Sequence, residues 1–408
     1  MDTAVTGIGI VSPLGVGREA FWENCRAARS GLKRIPTFDA TSLTSDVAGV
    51  VEDFDPSLFM PARAYRRMSR ISRMAVAASV EALQDSGVEP GKIHGERVAV
   101  VMGTAYGSSS HVEDFFVSLM KDGPRGAQPL LFPETVPNAP ASHIAMFHGF
   151  TGPNTTFCQN NISAENALLF GMSLLELGRA DMVLAGGAEE LSEMLFACHD
   201  AVGALNPVRA GEGPTPEPRP GRGLVLGEGA AVLVLEPLSR ALKRGASSYG
   251  ILRAGAISGG ASHLGGYEEE AKGLARAVTE ALGRAGIGPD EIDQIHVSAD
   301  FSGAAERVEQ LALRNLLGEG ADERGVTPLK YLTGDFGGAG ALRAACLLLA
   351  LSRKQSPPTV RIGDLSAATP APPCWAVDAG GRFGNGLMTS TTFGGGSASL
   401  LFSRFEDP

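Results

Sequence analysis

The residues best suited to chemistry lie in one short stretch, TTFCQNNISAENALLFG, from Thr155 to Gly171. It reads as a strand, a sharp turn and an apolar helix. In α/β enzymes that junction is a favoured seat for a nucleophile, because a helix N-terminus offers free N–H groups and about half a positive charge. Such a seat stabilises a thiolate or an oxyanion. A cysteine is present, Cys158, but its place is in the strand. The turn carries Gln159, Asn160 and Asn161 instead. A buried structural thiol is the expectation for Cys158, because free cysteine is among the most buried residue types. Asn160 or Asn161 would cap the helix, and Gly178 would end it.

The elements that must position this seat follow from hydrophobic patterning. Residues Ala164 to Leu177 are apolar on every side, which predicts a core helix rather than a surface one. Apolar runs at Ala4–Ile10, Arg97–Met102, Asp181–Ala185, Ala230–Leu235 and Asp293–Val297 read as strands covered on both faces. Helices are expected around Arg18–Ala28 and from about Ala64 to Asp85. The stretch Leu329–Ser352 repeats the Thr156–Leu177 pattern: a strand-like start, a turn at Gly334, then a helix. The first and last strand motifs, TGIGIVS and TTFGGGSAS, also match in type. This points to an α/β fold of two duplicated halves, 1–246 and 247–408, with a boundary near Ser247 and a loop over Asn206–Gly223.

Composition narrows the function. The chain has 408 residues and a formal net charge of −10, which argues against nucleic acid and anionic membrane as main partners. No apolar run is long enough to span a bilayer, and the start of the chain lacks the basic region of a signal peptide. Cytoplasmic location is expected. Cys25, Cys158, Cys198, Cys346 and Cys374 are scattered without a Cys-x-x-Cys pair, as reduced thiols would be, and offer no zinc site. The TGIGIVS glycines lack the third glycine of a dinucleotide loop, where Ser12 stands. No cofactor or metal is expected.

Taken together, VTGIGIVSPLG, FPETVPNAPASHIAMFHGFTGPN, GRADMVLAGGAEE, GLVLGEGAAVLVLE and TTFGGGSASLLF resemble the β-ketoacyl synthases over essentially the whole chain. The resemblance implies a thiolase-like fold, two βαβαβαββ halves in five αβαβα layers, acting as a dimer. It also implies a mechanism. A cysteine at the buried helix N-terminus takes the acyl chain as a thioester, and two histidines promote malonyl decarboxylation and stabilise the enolate.

All three catalytic positions are changed here. Ungapped matching puts Asn161 at the cysteine. The family's Lys-x-x-x-Gly-His reads Lys330 to Gly334 followed by Asp335. The Ala-His-Gly-Thr pattern falls on SADFSG, placing Asp300, or Ser298 without a gap, at the other histidine. Asparagine is no nucleophile at neutral pH, and an ionised Asp335 would repel an enolate. Lys330, Gly334 and Phe393 of the glycine-rich gate are kept. The family includes such a class: the chain length factor, or ketosynthase β subunit, of type II polyketide synthases. It pairs with an active ketosynthase α subunit and meets the acyl carrier protein. Aromatic-polyketide members usually carry glutamine at the cysteine position, so asparagine leaves polyene systems open as well.

The resemblance further places Tyr106, Phe115, Phe116, Leu130, Leu131, Phe132 and Cys158 along the acyl tunnel and dimer interface; simple core packing is the other reading for these residues. Arg63, Arg66, Arg67, Arg70 and Arg73 form a basic segment that would meet an acidic carrier or the partner, or else satisfy surface carboxylates. Two alternatives involve the carboxylates. Asp300 and Asp335 would serve thioester hydrolysis or decarboxylation, or would bind a metal with Glu309.

Overall fold

The apolar runs become strands of a mixed sheet in a computed structural model, which describes residues 1–211, 216–263, 265–365 and 381–406. Cys374 and part of the Asn206–Gly223 loop lie outside the described residues. Among the described residues the sheet has ten strands. From one edge they run Gln294–His296, Asn385–Thr391, Gly396–Ser403, Gly250–Gly259, Thr3–Ser12, Gly229–Pro237, Met182–Glu189, Val98–Gly103 and Asn154–Phe157, with Gly15–Val16 appended to Thr3–Ser12. The two glycine-punctuated strands from the ends of the chain do not pair with each other. Both flank Gly250–Gly259. The first strand reaches it only through Thr3, Ala4 and Val5, so two half-sheets meet at a narrow seam.

Two apolar helices fill the space between the half-sheets. Ser163–Glu176 packs on strands of both halves and on Ala339–Arg353, which does the same. Arg70–Asp85 covers the outer face of one half-sheet, and Lys272–Ala285 with Ala304–Leu317 covers the other. This is the five-layer αβαβα order of the thiolase-like fold. The strands are buried along nearly their whole length because both faces are covered. Leu347, Leu348, Leu349 and Leu351 are fully buried, and each such side chain contributes about 1.5–3 kcal/mol relative to exposure.

Three local expectations are corrected. The helix expected from about Ala64 to Asp85 is two: a short turn Ala62–Tyr65, then Arg70–Asp85. The break falls where Ser69 N–H and Oγ are both drawn to the buried carboxylate of Glu134. The start of the second repeat is a helical turn, Lys330–Thr333, not a strand. Cys158 lies one residue past its strand and is exposed. Among the described residues that strand is an edge of the sheet, paired only with Val98–Gly103, and its burial falls away after the half-buried Phe157.

Candidate functional site

The seat is built by close backbone approach. A Cβ on Gly103 would come within 2.3 Å of the Ser163 carbonyl carbon, so the strand end and the helix start touch backbone to backbone. Asn160 adopts φ 49°, and Ser163 Oγ donates to its carbonyl at 2.6 Å while accepting Gln159 N–H at 2.8 Å. Neither Asn160 nor Asn161 caps the helix through its side chain, against expectation. Ser163 takes over the local polar contacts, and the Asn161 amide is used elsewhere.

Asn161 is buried and donates from Nδ2 to Asp335 Oδ2 at 2.5 Å. The other Asp335 oxygen lies 2.6 Å from Lys330 Nζ, an ion pair in which both side chains are nearly inaccessible. The turn between these partners needs Gly334: φ is 72°, and a Cβ there would meet the Leu226 carbonyl oxygen at 2.5 Å. Asp335 N–H donates to Val225, and its carbonyl accepts Gly227 N–H, which fixes the carboxylate's direction. The tertiary fold thus joins residues 161, 330 and 335 into one buried polar chain.

Asp300 completes the cluster. Its Oδ1 accepts Ser302 N–H, and the neighbouring carboxylates of Glu306 and Asp335 face it. Burial, reinforced by those two charges, raises its pKa to about 8, so it is mostly protonated at neutral pH. Ser298, the other candidate for the histidine position, is locked. Its hydroxyl donates to Glu309 at 3.0 Å and accepts Thr391 N–H at 3.1 Å. Glu309 also accepts Thr389 Oγ1, and burial raises its pKa to about 6. Among the described residues no group of three His, Cys, Asp or Glu side chains is arranged to hold a metal.

Cys158 is not an activated thiol. Partial burial and the nearby Glu189 push its pKa up. The tunnel candidates are not core residues in the isolated chain. Tyr106, Phe116, Leu130 and Phe132 are exposed, and Phe115 and Leu131 half-buried. Phe115 meets Phe116 edge-on and Phe132 at a tilt, both with centroids 5.9 Å apart, forming one aromatic patch on Ser109–Asp122 and the turn Phe132–Glu134. Phe393 is half-buried in the glycine-rich turn joining the last two strands. Arg63, Arg66 and Arg67 are exposed. Arg70 is not available for docking. Its guanidinium is held by the buried Glu228 at 2.6 and 2.8 Å and by the Val51 carbonyl. Arg73 bonds the Tyr65 carbonyl.

Sequence reasoning missed the supports behind the seat. Arg343 is fully buried. It bonds Ser390 Oγ at 2.8 Å, the His296 carbonyl at 3.0 Å, the Thr389 carbonyl, and Glu165 at 3.3 Å. Glu306 accepts N–H groups from Asp300, Phe301 and Gly303 and the Tyr331 hydroxyl. A usable signal existed: Glu165 and Arg343 are lone charges inside the two apolar helices, and a buried charge requires a partner.

Comparison with known proteins places the chain in a family. Residues 2–241 match the family model "Beta-ketoacyl synthase, N-terminal domain" and residues 249–362 "Beta-ketoacyl synthase, C-terminal domain". The chain belongs to the β-ketoacyl synthase family. It is 31% identical to 3-oxoacyl-[acyl-carrier-protein] synthase 2 of Coxiella burnetii, over 99% of this chain and 98% of that protein. It is 34% identical to the putative polyketide beta-ketoacyl synthase 1 of Streptomyces cyaneus, over 91% and 89%. Its structure resembles that of the ishigamide ketosynthase/chain length factor, with a TM-score of 0.87, 26% identity and 99% of each chain covered.

Proposed function

We propose that this chain is a chain length factor: a non-condensing ketosynthase-like subunit that pairs with an active ketosynthase α subunit in type II polyketide biosynthesis, aromatic or polyene. The observation that carries this reading is the Asn161–Asp335–Lys330 chain. Where condensation needs a thiol and a neutral imidazole, an amide and a carboxylate are bonded to each other. The two halves, 1–246 and 247–408, together form this subunit, and its place is the cytoplasm.

The exposed aromatic patch supplies the other half of the reading. Phe116, Leu130 and Phe132 would be covered by the partner and would border the tunnel that receives a growing chain from the acyl carrier protein. Arg63, Arg66 and Arg67 offer positive charge to that carrier or the partner. The similarity to a ketosynthase/chain length factor supports the pairing. Thioester hydrolysis through Asp300 and Asp335 is disfavoured, because both Asp335 oxygens are already engaged.

Reconstitution tests the proposal. The purified chain with malonyl and acyl carrier proteins should form no carbon–carbon bond. Co-expression with a ketosynthase carrying intact Cys-His-His should give a stable one-to-one complex that does. Condensation by the chain alone, or failure to associate, would overturn it.

A further inference from the structure

One carboxylate ties the aromatic patch to the body of the molecule. Among the described residues, the other hydrogen bonds of residues 126–137 close within 123–139, such as Leu131 N–H to Gln128 and Thr135 Oγ1 to Phe132. Glu134 reaches further. Its Oε2 accepts Ser69 N–H at 3.0 Å, Ser69 Oγ at 2.9 Å and Ser72 Oγ at 3.2 Å, from residues 62 to 65 positions away. Its Oε1 meets His143 Nε2 on the helix Ala139–His148. Glu134 is 4% exposed, whereas Phe132, in the same turn, is 58% exposed. The turn therefore has its acid in the core and its ring in solvent.

A buried carboxylate is tolerable only with donors around it. Here it also faces the first turn of the 16-residue helix Arg70–Asp85, where the helix dipole favours negative charge. Burial works to raise the Glu134 pKa, but His143 and Ser69 outweigh it and hold it at about 2, so the acid is ionised at neutral pH. Bonds to an ionised acceptor are about twice as strong as neutral ones. Both supports of the acid border the basic segment. Ser69 follows Met68, and Met68, Arg63 and His143 line one surface cavity of about 350 Å³. One acid thus joins the patch turn to the segment carrying Arg63, Arg66 and Arg67.

We propose that Glu134 is a positioning residue of the partner surface: it sets the patch turn against the basic segment. A ketosynthase that covers Phe116 and Phe132 and meets the arginines then finds both in one arrangement, without the entropy cost of ordering a loose turn. The partner half of this inference rests on the proposed heterodimer. The anchor itself rests on this chain alone.

Hydrogen exchange on the purified full chain tests the anchor. Glu134→Ala should speed amide exchange over residues 129–136 at least about tenfold, while strands Val98–Gly103 and Met182–Glu189 keep their protection. Glu134→Gln, which keeps an acceptor for Ser69 but loses the charge, should fall between. Titration against a ketosynthase carrying intact Cys-His-His tests the positioning. Glu134→Ala should raise the dissociation constant at least about tenfold, and Glu134→Gln by less, although no patch or arginine side chain has changed. Unchanged exchange in Glu134→Ala would overturn the anchor. A loosened turn with unchanged affinity would overturn its part in association. If the unaltered chain does not bind, the heterodimer reading fails and takes the positioning role with it, while exchange still decides the anchor. If Glu134→Ala also deprotects the two strands, Glu134→Gln decides both points at about threefold.

Discussion

The seat and the aromatic patch invert the usual division between core and surface. The seat is buried yet charged: Lys330, Asp335, Asp300 and Glu306 lie within the fold, tied to one another or to backbone. The patch on Ser109–Asp122 and its following turn is exposed yet apolar, with Phe116 52% and Leu130 76% accessible. A buried charge is tolerable only with a partner, and an exposed aromatic cluster marks a surface made to be covered. The difference teaches where each region's selection acts. The seat is complete within one chain and turned inward; the patch is the surface proposed to meet a second chain.

The largest expected effect breaks the seat. Lys330→Ala leaves Asp335 buried without its cation and should cost about 3–5 kcal/mol, read as a lowered urea midpoint at pH 7. Replacing Lys330 and Asp335 together by apolar residues of similar volume should recover most of that loss. A double variant no more stable than the single one would show that the pair is not the seat's organising contact.

Next comes the patch. Phe116→Asp should weaken association with the ketosynthase by about 2 kcal/mol or more, seen by native mass measurement, while the urea midpoint of the isolated chain barely moves. The milder Phe116→Ala and Leu131→Ala should preserve the complex and lengthen its products. Unchanged product length in both variants would count against a tunnel role.

Among the arginines the same contrast recurs at smaller scale. Arg70→Ala strips Glu228 of its buried partner and should destabilise the fold by about 2–3 kcal/mol. Arg66→Glu with Arg67→Glu should leave stability within about 0.5 kcal/mol and instead reduce carrier or partner affinity at low salt. A reversal of these two outcomes would exchange the assigned roles.

The smallest effect is in pH dependence. The Asp300 pKa is raised in the folded chain to about 8 from its ordinary 3.8. The folded state therefore holds this proton more tightly than the unfolded state. Its stabilising contribution is complete below pH 4 and is lost as the pH climbs to about 8. Glu309, raised to about 6, and Glu189, raised to about 7, act with the same sign. Asp300→Asn should flatten the decline in melting temperature between pH 4 and 8, whereas a substitution in the patch should not.

Much of this was legible in the sequence. Strands such as Val98–Gly103 and Met182–Glu189 were readable because both faces are covered, which writes burial as an unbroken apolar run. The seat helix was readable for the same reason, and Gly178, with φ 63°, ends it as expected. The resemblance pointed to Asn161, Asp300 and Asp335. Ser163 taking the asparagines' capping contacts was not readable, nor was Arg70's tie to Glu228, 158 residues away. Local preference says what a side chain can bond, and only the fold says what lies within reach.

The sequence by itself determined most element types, the layered α/β fold and the two asparagines ahead of the apolar helix, because these depend on residue identity and short-range periodicity. Tertiary structure alone decided what those residues bond to. It brought Asn161 to Asp335 across 174 positions and Arg343 to Glu165 across 178. It also stacked Phe301 on Tyr331. Such contacts have no sequence period, since they arise where separate elements cross in the core. There, the cost of an unpaired charge makes each partner's position decisive.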